Sequence, residues 1–258
     1  MRIAAIYDIH ANLPALEAVL PDIRQAEVDQ IVVGGDVVPG PMPRQTLARL
    51  LDLDIPVQFI QGNGDREVLA QMRGTETGTV PVQFQKVMRW NAQQLLPEQE
   101  RLLASWPPTL RVDIRGLGEV LFCHATPRSD TEVFTRLTPE DRLLPVFAGL
   151  DVAVVVCGHT HMQFDRVIGR IRVVNAGSVG MPYGEPGAYW LLLSPNVQLR
   201  HTPYDIAKAA ECIRDTNYPQ AQDFAARNVL RPPSESETLK TFSRAEVRRN
   251  ARNGETTH

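Results

Sequence analysis

Cysteine is scarce in this 258-residue chain, with only Cys123, Cys157 and Cys212. So sparse and odd a set argues against a disulfide framework. Cys123 and Cys157 sit inside apolar runs and read as small buried core residues in a reducing compartment. Long apolar runs are missing too. No segment approaches the roughly 18 uncharged residues of a spanning helix. The run at 3–7 is interrupted by Asp8 and His10, too early for a signal peptide. The expected location is the cytoplasm, without membrane association. Charge of one sign is not in excess: 27 basic and 30 acidic residues leave a formal net charge of -3. No bulk basic surface draws the chain to nucleic acid, so only a local patch is left open. What remains, 43% hydrophobic and 22% charged, describes one large soluble domain with room for a small appendage.

Apolar runs at 3–7, 30–34 and 56–61 read as strands, separated by helical patterns at 12–28 and 44–51. In 12–28, Leu16, Val19, Leu20 and Ile23 share one face, and Pro14 is tolerable in the first turn. This alternation predicts an α/β fold with parallel pairing. Residues 74–83 are turn-rich, and 84–106 are helical with a second start at Pro97. From 109 onward the texture is β-rich, at 109–114, 119–123, 152–156 and 170–174. Residues 188–193 and 197–201 read as a hairpin around Ser194-Pro195-Asn196. The expected architecture is a two-sheet β-sandwich flanked by helices, four layers in all, with a C-terminal helical extension. The division follows: a main domain at 1–202, a helical extension packed on it at 203–230, and a flexible polar and basic tail at 231–258.

Four of the six histidines fall just after strand-like runs. They occur in the ordered segments Asp8-Ile9-His10, Gly35-Asp36, Gly62-Asn63-Gly64-Asp65, His124 and Gly158-His159-Thr160-His161. In extended backbone, residues i and i+2 face the same way, so Asp8 and His10 are expected to converge, as are His159 and His161. Carboxylate, amide and imidazole donors without thiolate suit borderline divalent ions: Mn, Fe, Zn, Co or Ni, with manganese first. Seven such groups exceed what one ion needs and suit two ions about 3.5–4 Å apart that share a carboxylate. His201 and His258 read as structural or exposed. Tyr7 and Tyr183 lie near ligand segments and are assigned to packing.

The ordered set D-x-H, G-D, G-N-x-D, H and G-H-x-H resembles the calcineurin-like metallophosphoesterases, in their small phosphodiesterase-type branch. The match runs from residue 3 to about 184 and includes Asn175-Ala176-Gly177-Ser178. The resemblance implies that Asp8, His10 and His161 hold one metal, that Asn63, His124 and His159 hold a second, and that Asp36 bridges them. It implies a bridging hydroxide as nucleophile and a small-molecule phosphate ester as substrate. Asp36, Asn63 and Asp65 are the residues expected to take part in catalysis, Asp65 either by orienting a ligand histidine or by capping a helix that begins near Arg66. Arg66 is the candidate for a phosphate oxygen, set against a plain surface role.

One departure stands out. The family's third motif usually reads G-N-H-D, and here Gly64 stands in place of the histidine that the family credits with protonating the leaving group. Alkyl monoesters need that proton most, so the expectation leans to a phosphodiesterase. Gly64 is expected to open room for a second ester substituent, and restoring a histidine there to raise monoesterase activity. A phosphatase of the same fold and a non-enzymatic binding scaffold are the alternatives. The scaffold reading requires eroded ligands, whereas all seven are present.

Overall fold

The computed structural model describes residues 1–75 and 81–253. Along the chain, β1 (Ile3–Ile6), α1 (Leu13–Gln25), β2 (Gln30–Val33), α2 (Pro43–Leu51), β3 (Val57–Phe59) and α3 (Asn63–Met72) alternate. Two further helices follow, α4 (Val82–Gln94) and α5 (Pro97–Ser105). Then come β4 (Thr109–Ile114), β5 (Gly118–Cys123), α6 (Glu140–Phe147), β6 (Val154–Cys157), β7 (Phe164–Ile168), β8 (Ile171–Asn175), β9 (Ala188–Leu193) and β10 (Val197–Thr202). The described chain ends in α7 (Ile206–Arg214), α8 (Ala221–Phe224), which runs on as a π-helical segment at Ala225–Leu230, and α9 (Glu235–Asn253). Among the described residues no helix is long and apolar enough to cross a membrane.

The strands form two five-stranded sheets, in the orders β10-β9-β1-β2-β3 and β4-β5-β6-β8-β7. Parallel pairs β1/β2, β2/β3, β5/β6 and β6/β8 make the centre of each sheet. Antiparallel partners close the remaining edges. β1 shows how sequence sets the layers. Its odd residues Ile3 and Ala5, with Tyr7 just beyond its end, enter the core between the sheets, against Val120, Phe122, Val154 and Val156. Its even residues Ala4 and Ile6 face outward beneath α1 and α2, with Leu16, Val19, Leu47 and Leu50. Alternation of side chains along a strand produces both faces, and each fully buried aliphatic side chain contributes about 1.5–3 kcal/mol. The expected helix-flanked sandwich is therefore present. A third cluster under α6 holds Cys123 and Cys157, whose thiols burial pushes up out of the reactive range.

Three local differences are informative. The strand β7 and the helix α6 were not expected. β7 is an edge strand with Asp165 and Arg166 at its centre, and α6 carries Pro145 inside and Pro139 at its cap. The tail from 231 was expected to be flexible, yet Glu235–Asn253 is helical. Ser234 and Glu237 form its capping box: the Ser234 hydroxyl accepts from Glu237 N, while the Glu237 carboxylate accepts from Ser234 N.

Candidate metal centre

All seven expected ligands lie just beyond strand ends on the same side of the sandwich. Asp8 and His10 follow β1, Asp36 follows β2, and Asn63 opens α3 after β3. His124 follows β5, and His159 and His161 follow β6. The first sheet thus supplies four groups and the second three. Carboxyl ends of parallel strands are where open α/β sheets place their crevice.

The convergence has a different cause from the one expected. These segments are not extended. Asp8 (φ 52°), His10 (48°), Asp36 (52°), His159 (65°) and His161 (58°) are all left-handed. Among the described residues only Ala11 and Glu27 are the other non-glycine residues with positive φ. Each such residue costs about 1–3 kcal/mol and persists only when its surroundings over-determine it. They do so here. Asp8 N donates to Gly35 O, His10 N to Asp36 O and Ala11 N to Val37 O, at 3.1, 2.8 and 2.8 Å. The Ser178 hydroxyl donates to Asp8 O at 2.7 Å, and His159 N to Asp8 Oδ2 at 2.8 Å. The segment after β8 is thus a clamp on the ligand loops, since Asn175 Nδ2 also donates to Gly158 O at 2.7 Å.

Three imidazoles have an assignable tautomer. His10 Nδ1 lies 3.1 Å from Pro39 O, His124 Nδ1 2.9 Å from Gly34 O, and His161 Nδ1 2.7 Å from Met181 O. Carbonyls only accept, so each Nδ1 carries the proton and each Nε2 presents a lone pair. Those lone pairs face one another and further acceptors. His10 Nε2 and His161 Nε2 are 3.3 Å apart. Asp8 Oδ1 lies 3.3 Å from His161 Nε2 and 3.9 Å from both His10 Nε2 and His124 Nε2. It is buried without a hydrogen-bond partner. Asp36 turns Oδ2 to His10 Nε2 and Oδ1 to His124 Nε2, both at 3.7 Å. Asn63 Oδ1 meets only acceptors: His124 Nε2 at 3.0 Å, His159 Nδ1 at 2.9 Å and Asp130 O at 3.2 Å.

Acceptors gathered at these separations repel one another unless a cation lies between them. Ligands about 2.1 Å from one ion stand about 3–3.4 Å apart in tetrahedral or octahedral geometry. The His161 Nε2 distances to His10 Nε2 and Asp8 Oδ1, both 3.3 Å, match this, while the pairs made by Asp36 and the other Asp8 pairs are wider, at 3.7 and 3.9 Å. Swapping the Asn63 amide would also satisfy its neighbours, but would leave His10, His161 and Asp8 Oδ1 as they are. The donor set therefore fits divalent cations. Two groups can hold one, Asp8–His10–His161 and Asp8–Asp36–His124. Asp8 belongs to both groups.

The same crowding shifts protonation. Burial by itself would raise Asp8, yet the imidazoles of His161, His124 and His10 hold its carboxyl well below the usual range. Burial lowers His10, and lowers His159 to about 4 with the neighbouring His124 adding to the effect. For His124 and His161 burial is outweighed, by Asp36 and Asp8 respectively, and both are raised.

Two expectations need correction, for Arg66 and Gly64, and the choice left open at Asp65 falls to the helix cap. Asp65 touches no histidine among the contacts described. Its carboxylate accepts from Val37 N (2.9 Å), Val38 N (3.1 Å) and Gly62 N (3.2 Å), so it caps α3 and pins the loop behind Asp36. It is a positioning residue, because those bonds point it away from the ligand atoms. Burial and the Asp36 charge push its carboxyl up to about 7. Arg66 does not aim at a phosphate. Its guanidinium bonds Asp130 through Nε (2.6 Å) and Nη2 (3.3 Å), and Glu67 through Nη1 (3.0 Å). Gly64 does not open space. A β-carbon there would lie 2.7 Å from Pro39 Cγ and 2.9 Å from Asp36 Oδ1. Gly64 N instead donates to Asp36 Oδ1 at 2.7 Å.

Sequence reasoning missed the three carbonyls that set the tautomers, since any residue type supplies one. It also gave Tyr183 a packing role without seeing its partner. The Tyr183 ring stacks on His161, with centroids 5.3 Å apart and planes 18° off parallel.

Comparison with known proteins agrees with this geometry. The chain is 30% identical over 239 residues to the uncharacterized protein MJ0912 of Methanocaldococcus jannaschii, covering 84% of this chain and 94% of that one. It is 28% identical over 202 residues to the phosphodiesterase YfcE of Escherichia coli, covering 74% and 87%. The crystal structure of a metallophosphoesterase from Sphaerobacter thermophilus superposes with a TM-score of 0.67 at 26% identity, over 89% of this chain and 99% of that one. The calcineurin-like phosphoesterase superfamily domain matches residues 1–196, a span that takes in both sheets save the last strand, β10, and every candidate ligand described above. With acceptor-lined strand ends of this kind on this sandwich, the chain belongs to the calcineurin-like phosphoesterase superfamily.

Proposed function

We propose that this chain is a two-metal phosphodiesterase acting on small phosphate esters. The observation that carries the reading is the set of mutually facing acceptors: His10 and His161 on one side, His124 on the other, and the Asp8 and Asp36 carboxylates between. Asp8, His10 and His161 would hold one ion, and Asn63, His124 and His159 the other. Asp36, whose two oxygens turn to opposite sets, would bridge. Divalent ions at these positions supply charge that offsets a bound phosphate and lowers the pKa of coordinated water. Manganese is the first choice for a mixed oxygen and imidazole set without thiolate.

The chain's own residues do the positioning. Pro39, Gly34 and Met181 carbonyls aim three Nε2 lone pairs inward. Gly64 N–H holds one oxygen of Asp36, and Asp65 holds the loop behind it. Two carboxylates against two divalent ions leave the site positive, so an anionic ester is attracted. Position 64 offers no imidazole, and Pro39 closes the space. A leaving group that needs a proton finds no donor there, which favours diesters over alkyl monoesters. The relative named as a phosphodiesterase points the same way. The three cysteines are unpaired thiols, which suits a reducing cytoplasm.

The test is hydrolysis of bis-para-nitrophenyl phosphate against para-nitrophenyl phosphate, with manganese and with chelator. Diester preference abolished by chelator is expected. Equal or greater monoester turnover would replace the reading with a phosphatase, and turnover that survives chelation would remove the metal-dependent mechanism.

A further inference from the structure

The helix α9 is fastened to two loops that carry residues of the candidate metal centre. Its first residue, Glu235, forms an ion pair with Arg136. Arg136 lies on the loop that follows His124. That loop is fixed in turn by Arg166, whose Nη1 donates to the carbonyls of Arg136 (3.1 Å) and Thr138 (2.8 Å). Just before the helix, Pro233 O accepts from Gly184 N at 2.9 Å. Gly184 follows Tyr183, on the loop whose Met181 carbonyl orients His161. About two turns into α9, Phe242 meets the Tyr183 ring edge-on, with centroids 6.1 Å apart and planes 68° off parallel. Tyr183 itself stacks on His161.

A continuous series of contacts thus runs from α9 to an imidazole of the centre, and a second anchor reaches the His124 loop. Thr238, Leu239 and Phe242 share the inner face of the helix, as their three- and four-residue spacing requires, and Thr238 and Leu239 are buried. This face is built to stay down, with the Ser234–Glu237 capping box fixing where it starts.

We propose that the first two turns of α9, with Tyr183, form one wall of the substrate pocket and restrict it to compact phosphate diesters, excluding esters with bulky substituents and polynucleotides. The inference rests on the phosphodiesterase reading and adds to it a size limit set by Phe242. Two contacts separate Phe242 from His161, so its loss opens the wall without removing a ligand. The Glu235–Arg136 pair holds the same wall from its other end. Reversing one charge would turn attraction into repulsion, and reversing both would restore it.

The experiment uses the full chain loaded with manganese, as Phe242→Ala, Glu235→Lys and the double reversal Glu235→Lys/Arg136→Glu. Rates are compared on a compact diester, methyl para-nitrophenyl phosphate, and on a bulky one, the para-nitrophenyl ester of thymidine monophosphate. Metal content and melting temperature show that each variant is folded and loaded. The ratio of kcat/KM, bulky over compact, is expected to rise about tenfold in both single variants, mostly through KM, and to return in the double reversal. An unchanged ratio in folded, loaded variants would overturn the wall, as would a ratio already favouring the bulky ester in the unmodified chain. Failure of the unmodified chain to hydrolyse either diester would overturn the phosphodiesterase reading and this inference with it, so the two failures look different.

Discussion

A side chain at position 64 would need the volume that Pro39 and Asp36 already occupy. Pro39 is a rigid ring, and Asp36 is tied down by the Gly64 amide, so neither can retreat cheaply. Gly64→His is therefore expected to lower turnover of monoesters and diesters alike, and Gly64→Ala to destabilise by about 1–3 kcal/mol through overpacking. Melting temperatures and steady-state rates check both. A gain in monoesterase activity from Gly64→His alone would mean that the loop yields more readily than its contacts indicate. Partial recovery is expected when Pro39→Ala is added. At Asp36, replacement by Asn removes charge from between the two donor sets. Turnover should fall at least about a hundredfold, and metal content by mass spectrometry should drop with it. Asp65→Asn replaces an acceptor-only group that faces three N–H donors. It should cost about 1–3 kcal/mol in thermal unfolding and weaken metal retention through the loop behind Asp36. At this scale the identities of the ligands were legible, because Asp, Asn and His in that order after strand-like runs are rare. Roles that depend on direction were not: Asp65 and Arg66 look equally functional in the sequence, and only their hydrogen bonds show that both are used elsewhere.

Elements were legible where hydrophobic pattern and burial coincide. β1, β2, β9 and β10 fall within a residue or so of the runs that mark them, since every residue of β1 is buried. β7 escaped notice because an edge strand needs only one apolar face, and its burial alternates. The start of α9 was readable in principle: Pro232-Pro233 followed by Ser234-x-x-Glu237 is a helix-initiation pattern, outweighed here by the polar composition around it. The turns that hold the ligands were least legible. An i, i+2 spacing suggested extended backbone, whereas Asp8, His10, His159 and His161 adopt left-handed angles imposed by hydrogen bonds from residues far along the chain. Asn12 belongs to this scale. Its Oδ1 caps α1 at Ala15 N, and its Nδ2 donates to Gly180 O, tying the helix that follows the first ligands to the loop that follows the last. Asn12→Ala should cost about 1–2 kcal/mol by denaturant unfolding and reduce metal retention as well, an effect that a purely local cap would not have.

For the whole molecule, metal and fold should be linked. The folded chain concentrates acceptors that an unfolded chain disperses, so ions bind the native state preferentially. At a hundredfold excess over Kd, one site contributes about 2.7 kcal/mol, or about 5–10 °C in a domain of this size. Chelator should lower the melting temperature by at least that much, and manganese should restore it. Equal melting temperatures with and without metal would show that the acceptor cluster is stable on its own, against the repulsion expected from its geometry.

The distribution of donors between the two sheets has a consequence for biosynthesis. Asp8, His10, Asp36 and Asn63 leave the ribosome well before His124, His159 and His161, and β1 gains its neighbour β9 later still. A nascent chain therefore carries only part of each three-residue group, since His124 and His161 arrive later. Under the proposed two-metal reading, an ion would be captured only when both halves have closed on each other, so a held metal would mark a finished protein.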